Sequence, residues 1–519
     1  MYLHLHWDRC RNLISVNAIN FAGRSEFFGA ALYYSILSYS TGKNIMYYRL
    51  KDNFILRGYD KLPYTLINRN NGYAEFLNNQ VMYALKLCDG SVDLSLPAIS
   101  EETRKIIAQA EKVGVIEQCE PGHGLNEIQK YKKYPARYIR QAHWSITGKC
   151  NYKCRHCYMS APDAKLGELE HEKIMSIVQQ LGDCGVMSVS LTGGEPLVRS
   201  DFLEIVDALL ERNITIREIY SNGALVNEKL LKELDARNIH PQFNMSYDGE
   251  GWHDWLRGIK GAEEIVNRAF ALCRDMGFST SSEMCIHQHN KHTLRASIKH
   301  LGSLGVRSVK TNPVADVGAW HENGYGPSMS LKEVNQLYLD YLPEYYEDNM
   351  PMGIMLGGFF MASPNMPDYF EIPAYKPICE PDKMCLCGHA RHVMYISPES
   401  RTLPCMALSG MKIQENYPLI TEKGLQECIT SSSYMKLIDT RASEYFALHE
   451  DCKKCKYSLR CYGGCRADAL GVDENNIMGK APGSCELFRG GWVEKIIDVV
   501  KKFRPNAKSP VLDDELWKK

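Results

Sequence analysis

The sequence predicts an α/β protein built on a parallel sheet, with a small β-plus-helix unit before it and a cysteine-rich segment after it. Three observations carry this. Apolar runs of strand length alternate with helical patterns between residues 140 and 313, as parallel strands joined by right-handed crossovers require. Short alternating runs around a turn signal mark residues 45–119. Ten of the 19 cysteines fall in the 107 residues between Cys379 and Cys485, and only nine in the other 412.

Residues 1–44 hold one helical pattern, at 27–38, and are otherwise unassigned. Runs at 64–67 and 73–77 flank Asn70-Asn71-Gly72, a hairpin signal. Helical spacing covers 79–88 and 100–113, the second opening on Ser100-Glu101-Glu102-Thr103, and a strand at 115–118 closes the unit. Polar residues 120–139 read as a linker. Between 140 and 313 the expected strands are 141–147, 187–191, 215–220, 242–246, 280–287 and 308–312. Helices are expected at 171–184, 201–212, 228–237, 262–276 and 291–304. Six strands suit an open or partial (β/α)6 barrel better than a closed eight-stranded one. Residues 314–378 read as a bridge, 379–490 as the cysteine-rich domain, and 491–519 as a helix near 492–503 with a polar tail.

Composition excludes several classes. Lys and Arg number 61 against 62 Asp and Glu, and 45% of residues are hydrophobic. This argues for a globular chain and against general affinity for nucleic acid or anionic membrane. No run reaches the ~18–20 apolar residues of a membrane span. No signal peptide is evident, so the cytoplasm is the expected compartment. Disulfides rarely persist there, and clustered cysteines then favour metal ligation.

The loop after the first barrel strand reads Cys150-Asn151-Tyr152-Lys153-Cys154-Arg155-His156-Cys157. Three thiols spaced C-x3-C-x2-C can hold three corners of a [4Fe–4S] cube and leave one iron open to another ligand. A zinc site would need a nearby fourth ligand, and His156 lies in the same tight loop. The second strand ends in Thr192-Gly193-Gly194-Glu195-Pro196. Its glycines allow close approach to a ligand and its carboxylate suits an ammonium group. Further strands end in Ser221-Asn222-Gly223 and Ser246-Tyr247-Asp248-Gly249. All these loops lie where parallel β/α folds place their reactive groups.

C-x3-C-x2-C followed by Gly-Gly-Glu-Pro resembles the radical S-adenosylmethionine (SAM) superfamily, over about residues 140–313. The resemblance implies a cluster on Cys150, Cys154 and Cys157 that binds SAM. Gly193, Gly194 and Glu195 would receive its amino group, with Pro196, Ser221, Asn222, Ser246 and Asp248 as further SAM contacts. One-electron reduction would yield a 5′-deoxyadenosyl radical that abstracts a substrate hydrogen.

Downstream lie Cys387, Cys405, Cys452-x2-Cys455-x5-Cys461-x3-Cys465 and Cys485. Cys452, Cys455, Cys461 and Cys465 alone could form a zinc knuckle. Behind a radical SAM core, the order resembles the SPASM domain, which implies two further [4Fe–4S] clusters and three in all. Cys452, Cys455, Cys461 and Cys485 would hold the outer one. Cys387, Cys405 and Cys465 would hold the inner one, with Cys379 or Cys385 as its fourth ligand, or a substrate thiolate in that place. Ser400 stands where the family often has Gly, which should alter a turn. Cys10, Cys88, Cys119, Cys184, Cys273, Cys285 and Cys428 read as small apolar residues, and His287, His289 and His292 as surface or core histidines.

Residues 45–119 resemble the PqqD-like winged-helix domain that recognises leader peptides, through the Asn71-Gly72 hairpin, Leu87-Cys88-Asp89-Gly90 and Gly114-Val115-Ile116. The combined resemblance implies a maturase for a ribosomally made precursor peptide, served by a flavodoxin- or ferredoxin-type reductant and installing a thioether or carbon–carbon cross-link. Epimerisation, residue excision and formylglycine-type oxidation share that chemistry. An electron-transfer or peptide-binding protein is the rival of another class, although a pure carrier needs no Gly193–Pro196 motif.

Overall fold

The computed structural model describes residues 45–159, 166–316, 318–375 and 380–517. The helix expected at 27–38, Cys10 and Cys379 lie outside them. The described residues form two compact units, 45–137 and 138–517.

In the first unit β1 (Tyr47–Leu50) pairs antiparallel with β5 (Ile116–Cys119). A second sheet orders β4 (Tyr73–Phe76), β3 (Leu62–Asn68), β2 (Phe54–Tyr59) and β6 (Lys132–Lys133). The expected hairpin joins β3 to β4, with Asn68 opposite Tyr73 and Gly72 at φ +67. Helices α1 (Asn79–Lys86) and α2 (Glu101–Lys112) start where the Asn78 and Ser100 side chains accept backbone N–H bonds. Their apolar faces meet Leu50, Leu56, Leu66 and Ile116 in the core.

The polar stretch read as a linker belongs largely to this unit. Gln129 is buried, and its Nε2 donates to Leu50 O at 3.1 Å and Lys51 O at 2.9 Å. Buried Arg57 donates to Lys130 O and Ile128 O, and β6 runs parallel to β2. Polar side chains fold inward here because backbone carbonyls satisfy them.

The second unit holds the six expected strands: β7 (Gln141–Ser145), β8 (Ser188–Thr192), β9 (Thr215–Ser221), β10 (Gln242–Ser246), β11 (Thr280–Ile286) and β12 (Ser308–Pro313). Between them run α3 (His171–Asp183), α4 (Phe202–Glu211), α5 (Glu228–Ala236), α6 (His253–Arg257), α7 (Ala262–Asp275) and α8 (Leu294–Ser303). Neighbouring strands are all parallel, with Trp144, Val189, Leu191, Ile219, Phe243 and Met245 wholly buried. Such apolar runs mark strands covered on both faces.

The sheet extends beyond six strands at both margins. After α9 (Gly318–Glu322) and α10 (Leu331–Glu347), the region read as a bridge adds β13 (Gly353–Leu356) parallel to β12. It then adds β14 (Phe360–Ala362) and β15 (Phe370–Glu371), both antiparallel. On the other side, α11 (His389–His392) leads into β16 (Val393–Ile396), which pairs parallel with β7, and β17 (Thr402–Leu403) follows antiparallel. The result is one open sheet of eleven strands. The cysteine-rich segment thus contributes two strands to the barrel sheet. Among the described residues no helix is long and apolar enough to cross a membrane.

Candidate functional site

Strands β7 and β8 run side by side in register, Ser145 opposite Thr192, so the loops that follow them emerge together. Gly194 N donates to Thr147 O and Glu195 N to Lys149 O, each at 2.9 Å. A Cβ on Gly193 would lie 2.5 Å from Thr147 O, and one on Gly194 2.3 Å from Lys149 O. The glycine pair was expected to admit a ligand. Its observed necessity is to let the β8 turn lie against the loop that carries the three cysteines.

Glu195 and Asp248, both expected to face SAM, are turned to partners within the protein. Glu195 is wholly buried, with Ser221 Oγ 3.1 Å from each carboxylate oxygen, Asn222 N donating at 2.7 Å and Leu197 N at 3.2 Å. Burial lifts its carboxyl to about 7, against these bonds, which favour the ionised form. Its side chain therefore ties the β8 turn to the end of β9. Pro196 opens a short 3₁₀ turn after it. Ser246 ends β10, partly buried.

Asp248 is also wholly buried. Arg257 Nε and Nη2 donate to it at 2.6 and 3.0 Å, Cys285 N donates at 3.0 Å, and His253 Nδ1 lies 3.1 Å away. Burial opposes its ionisation, but the Arg257 charge prevails and holds the carboxyl far below the usual range. His156, Asp248 and Cys285 come within 4.8 Å of one another. A guanidinium already neutralises that carboxylate, so the trio is poorly suited to a cation.

The three cysteines lie on one loop, and none is in a disulfide. Donors converge on their sulfurs: Tyr152 N at 3.4 Å and Asn222 Nδ2 at 3.9 Å from Cys150 Sγ, and Arg257 Nη1 at 3.8 Å from Cys154 Sγ. Asn222 also donates to Asn151 Oδ1 at 2.7 Å, linking the ends of β9 and β7. Burial pushes the Cys150 thiol up to about 12, so ligation must displace its proton. Three thiols on one docked loop, each of two sulfurs met by N–H donors, fit an iron–sulfur cluster.

Around the mouth of the barrel, Trp252, Trp255, His287, His289, Trp320 and Tyr325 pack ring to ring, and Arg155 lies over Trp255 and Tyr325. The sequence reading missed this wall and missed Arg257. Spacing holds no signal for either, since four separate strand ends supply the residues.

The second cysteine field separates into two neighbourhoods. Cys405 is partly buried, desolvation pushes its thiol up to about 12, and Cys387 and Cys465 are its electrostatic neighbours. Cys461 neighbours Cys485 and Cys452, and Cys485 neighbours Cys452 and Cys455. Cys385 Sγ accepts from Arg391 Nη1 at 2.7 Å and Arg441 Nη1 at 2.9 Å. Ser400 keeps the turn a glycine would make, at φ +76, with its Oγ 2.9 Å from Thr421 Oγ1. Cys88, Cys184, Cys273 and Cys428 are buried, as expected of apolar residues.

Residues 144–301 match the family model of the Radical SAM superfamily. Among curated proteins, the chain is 24% identical over 332 residues to a PqqA peptide cyclase from Granulibacter bethesdensis, covering 63% of this chain and 82% of that protein. An Fe-coproporphyrin III synthase from Methanosarcina barkeri is 27% identical over 186 residues, covering 34% and 46%. Among solved structures, Streptococcus suis SuiB bound to precursor peptide SuiA aligns over 84% of this chain and 99% of its own, with 15% identity and a TM-score of 0.61. Native anSMEcpe with bound AdoMet and Cp18Cys peptide aligns over 71% and 98%, with 18% identity and a TM-score of 0.51.

Proposed function

We propose, for a chain whose residues 144–301 form a radical SAM domain, that it modifies a ribosomally made precursor peptide by hydrogen abstraction and installs a cross-link. One observation carries this reading: the Cys150–Cys157 loop and the Gly193–Glu195 turn are bonded together at adjacent strand ends. Cys150, Cys154 and Cys157 would ligate a [4Fe–4S] cluster, which when bound supplies the electron that cleaves SAM to a 5′-deoxyadenosyl radical.

The chain's residues prepare that site. The N–H groups of Gly194 and Glu195 are turned to the cysteine loop, and the carbonyls of the turn would take the amino group of SAM. Glu195, Ser221 and Asn222 hold the turn in place, and their bonds to one another fix its position before ligand arrives. The aromatic wall borders the mouth and excludes water from a substrate side chain held there.

The peptide substrate is supported by the similarity to PqqA peptide cyclases and by the fold shared with peptide-bound SuiB. In the first unit, edge strand β4 exposes Tyr73 and Phe76, a surface to which an extended leader can add as a strand. Cys452, Cys455, Cys461 and Cys485 would hold an outer auxiliary cluster. Cys387, Cys405 and Cys465 would hold an inner one, with Cys385 or Cys379 as fourth ligand. These clusters would carry the second electron away from the substrate, and a flavodoxin- or ferredoxin-type reductant would supply the first.

The test is reduced, reconstituted enzyme with SAM and small precursor peptides encoded beside its gene. Formation of 5′-deoxyadenosine with a product lighter by two hydrogens supports a cross-linking maturase. A product of unchanged mass would replace it with epimerisation, and a lost fragment with excision. Absence of 5′-deoxyadenosine with every such peptide refutes the reading.

A further inference from the structure

Helix α6 follows β10 and reaches back to the cysteine loop. Arg155 N donates to Leu256 O at 2.8 Å. Gly258 closes the helix at φ +68, and a Cβ there would lie 2.4 Å from Lys153 O. This close approach sets Arg257 beside Cys154. Two of its three nitrogens are taken by Asp248, and the third, Nη1, donates to Cys154 Sγ. Asp248 cannot drift, because Cys285 N holds its Oδ1 and Asn290 Nδ2 donates to its carbonyl at 2.6 Å. Asp248 and His253 are wholly buried and Arg257 nearly so.

A buried, fully bonded ion pair is costly to assemble, and replacement by apolar residues is often neutral or stabilising. The geometry here has a directional product: one N–H aimed at one sulfur. Hydrogen bonds to cluster sulfurs and local charge both set the reduction potential of an iron–sulfur centre. A donor and a positive charge favour the reduced state, which is the more negative one. A carboxylate nearby opposes this. Burial strengthens both effects, since little water screens them.

We infer that Arg257 and Asp248 are positioning residues that set the reduction potential of the cluster on Cys150, Cys154 and Cys157. Arg257 raises that potential through its N–H···Sγ bond and charge. Asp248 aims the guanidinium and offsets part of its charge. This rests on the iron–sulfur reading of the three cysteines, and it assigns to Asp248 a role other than contact with SAM.

The two residues therefore predict opposite shifts. Full-length enzyme is reconstituted anaerobically, and the EPR signal that a Cys150/Cys154/Cys157→Ala variant lacks is titrated against potential. R257Q should lower the midpoint, D248N should raise it, and R257K should fall between wild type and R257Q. Shifts of R257Q and D248N in the same direction, or none in either, overturn the proposal. A wild-type protein that lacks the signal refutes the cluster reading instead. Should a variant fail to take up iron, wild-type protein labelled with ¹⁵N-arginine decides by pulsed EPR. Nitrogen coupling to the reduced cluster supports the proposal, and its absence overturns it.

Discussion

Replacing Gly194 by Ala tests whether the β8 turn and the cysteine loop work as one piece. The φ of Gly194 is outside the left-handed region, so only space opposes the new methyl group. That methyl would meet Lys149 O at 2.3 Å, Lys149 C at 2.6 Å and Cys150 Cβ at 3.0 Å. Ordinary carbon contacts lie near 3.5–4.0 Å, so the loop must withdraw by about 1 Å. Withdrawal forfeits the bonds from Gly194 N to Thr147 O and from Glu195 N to Lys149 O, roughly 1 kcal/mol each. Overpacking adds about 1–3 kcal/mol. The sum, about 3–5 kcal/mol, disfavours the docked loop by at least ~100-fold. The assay is iron content together with 5′-deoxyadenosine formation in reconstituted G194A. Iron should fall toward the level of the triple cysteine variant, and SAM cleavage should drop by two orders of magnitude or more. A G194A enzyme that loads fully and cleaves SAM at the wild-type rate would refute the argument.

Changing Cys150, Cys154 and Cys157 together to Ala should lower iron from about twelve to about eight per chain if the second cysteine field holds two further clusters, and elemental analysis reads this directly. Bound zinc with about four irons in the wild type would instead make the C-terminal cysteines a structural knuckle. Glu195 makes stability depend on pH. Its carboxyl is raised from 4.5 to about 7 in the folded chain; the folded state then binds more protons, and stability falls as pH rises through that window by about 3 kcal/mol. E195Q should lose this dependence, so the wild-type melting temperature measured relative to E195Q should be lower at pH 8 than at pH 5; a constant difference contradicts it. Gln129→Leu should destabilise the first unit by about 1–3 kcal/mol, because the carbonyls of Leu50 and Lys51 lose their donor. For the same reason a fragment ending at 137 should melt cooperatively and one ending at 119 should not, as circular dichroism will report.

The six central strands were legible because wholly buried parallel strands read as continuous apolar runs bounded by helical patterns. Predicted and observed bounds nearly coincide, the largest difference being the first turn at 291–293, which is 3₁₀ before α8. The marginal strands were not legible. β13, β14 and β15 are four, three and two residues long, too short for any period to declare itself, and β16 is embedded among cysteines. Residues 120–137 misled through polarity, since a glutamine that satisfies backbone carbonyls looks in sequence like a solvated one. The spacing of Cys150, Cys154 and Cys157 put them on one loop in the sequence, and they lie on one loop in the fold. Glu195 and Asp248 were read as ligand contacts because an acidic residue in a Gly-containing turn invites that reading. Their partners within the protein, Ser221 and Asn222 for Glu195 and Arg257 for Asp248, are brought near by tertiary structure alone. Arg257 lies 103 positions from the sulfur it meets.

The pairing of Val393–Ile396 with Gln141–Trp144 bears on how such proteins can be recombined. A C-terminal segment joined by a flexible tether is exchangeable by simple fusion. Here the exchange would strip β7 of a neighbour and leave a row of bare amide and carbonyl groups along a strand of Ala142 and Trp144, a template for aggregation. Any donor segment must bring a strand of matching register as well as its cysteines. Shuffling is thus constrained at a four-residue splice, and chimeras that honour it should stay dispersed where shorter truncations precipitate.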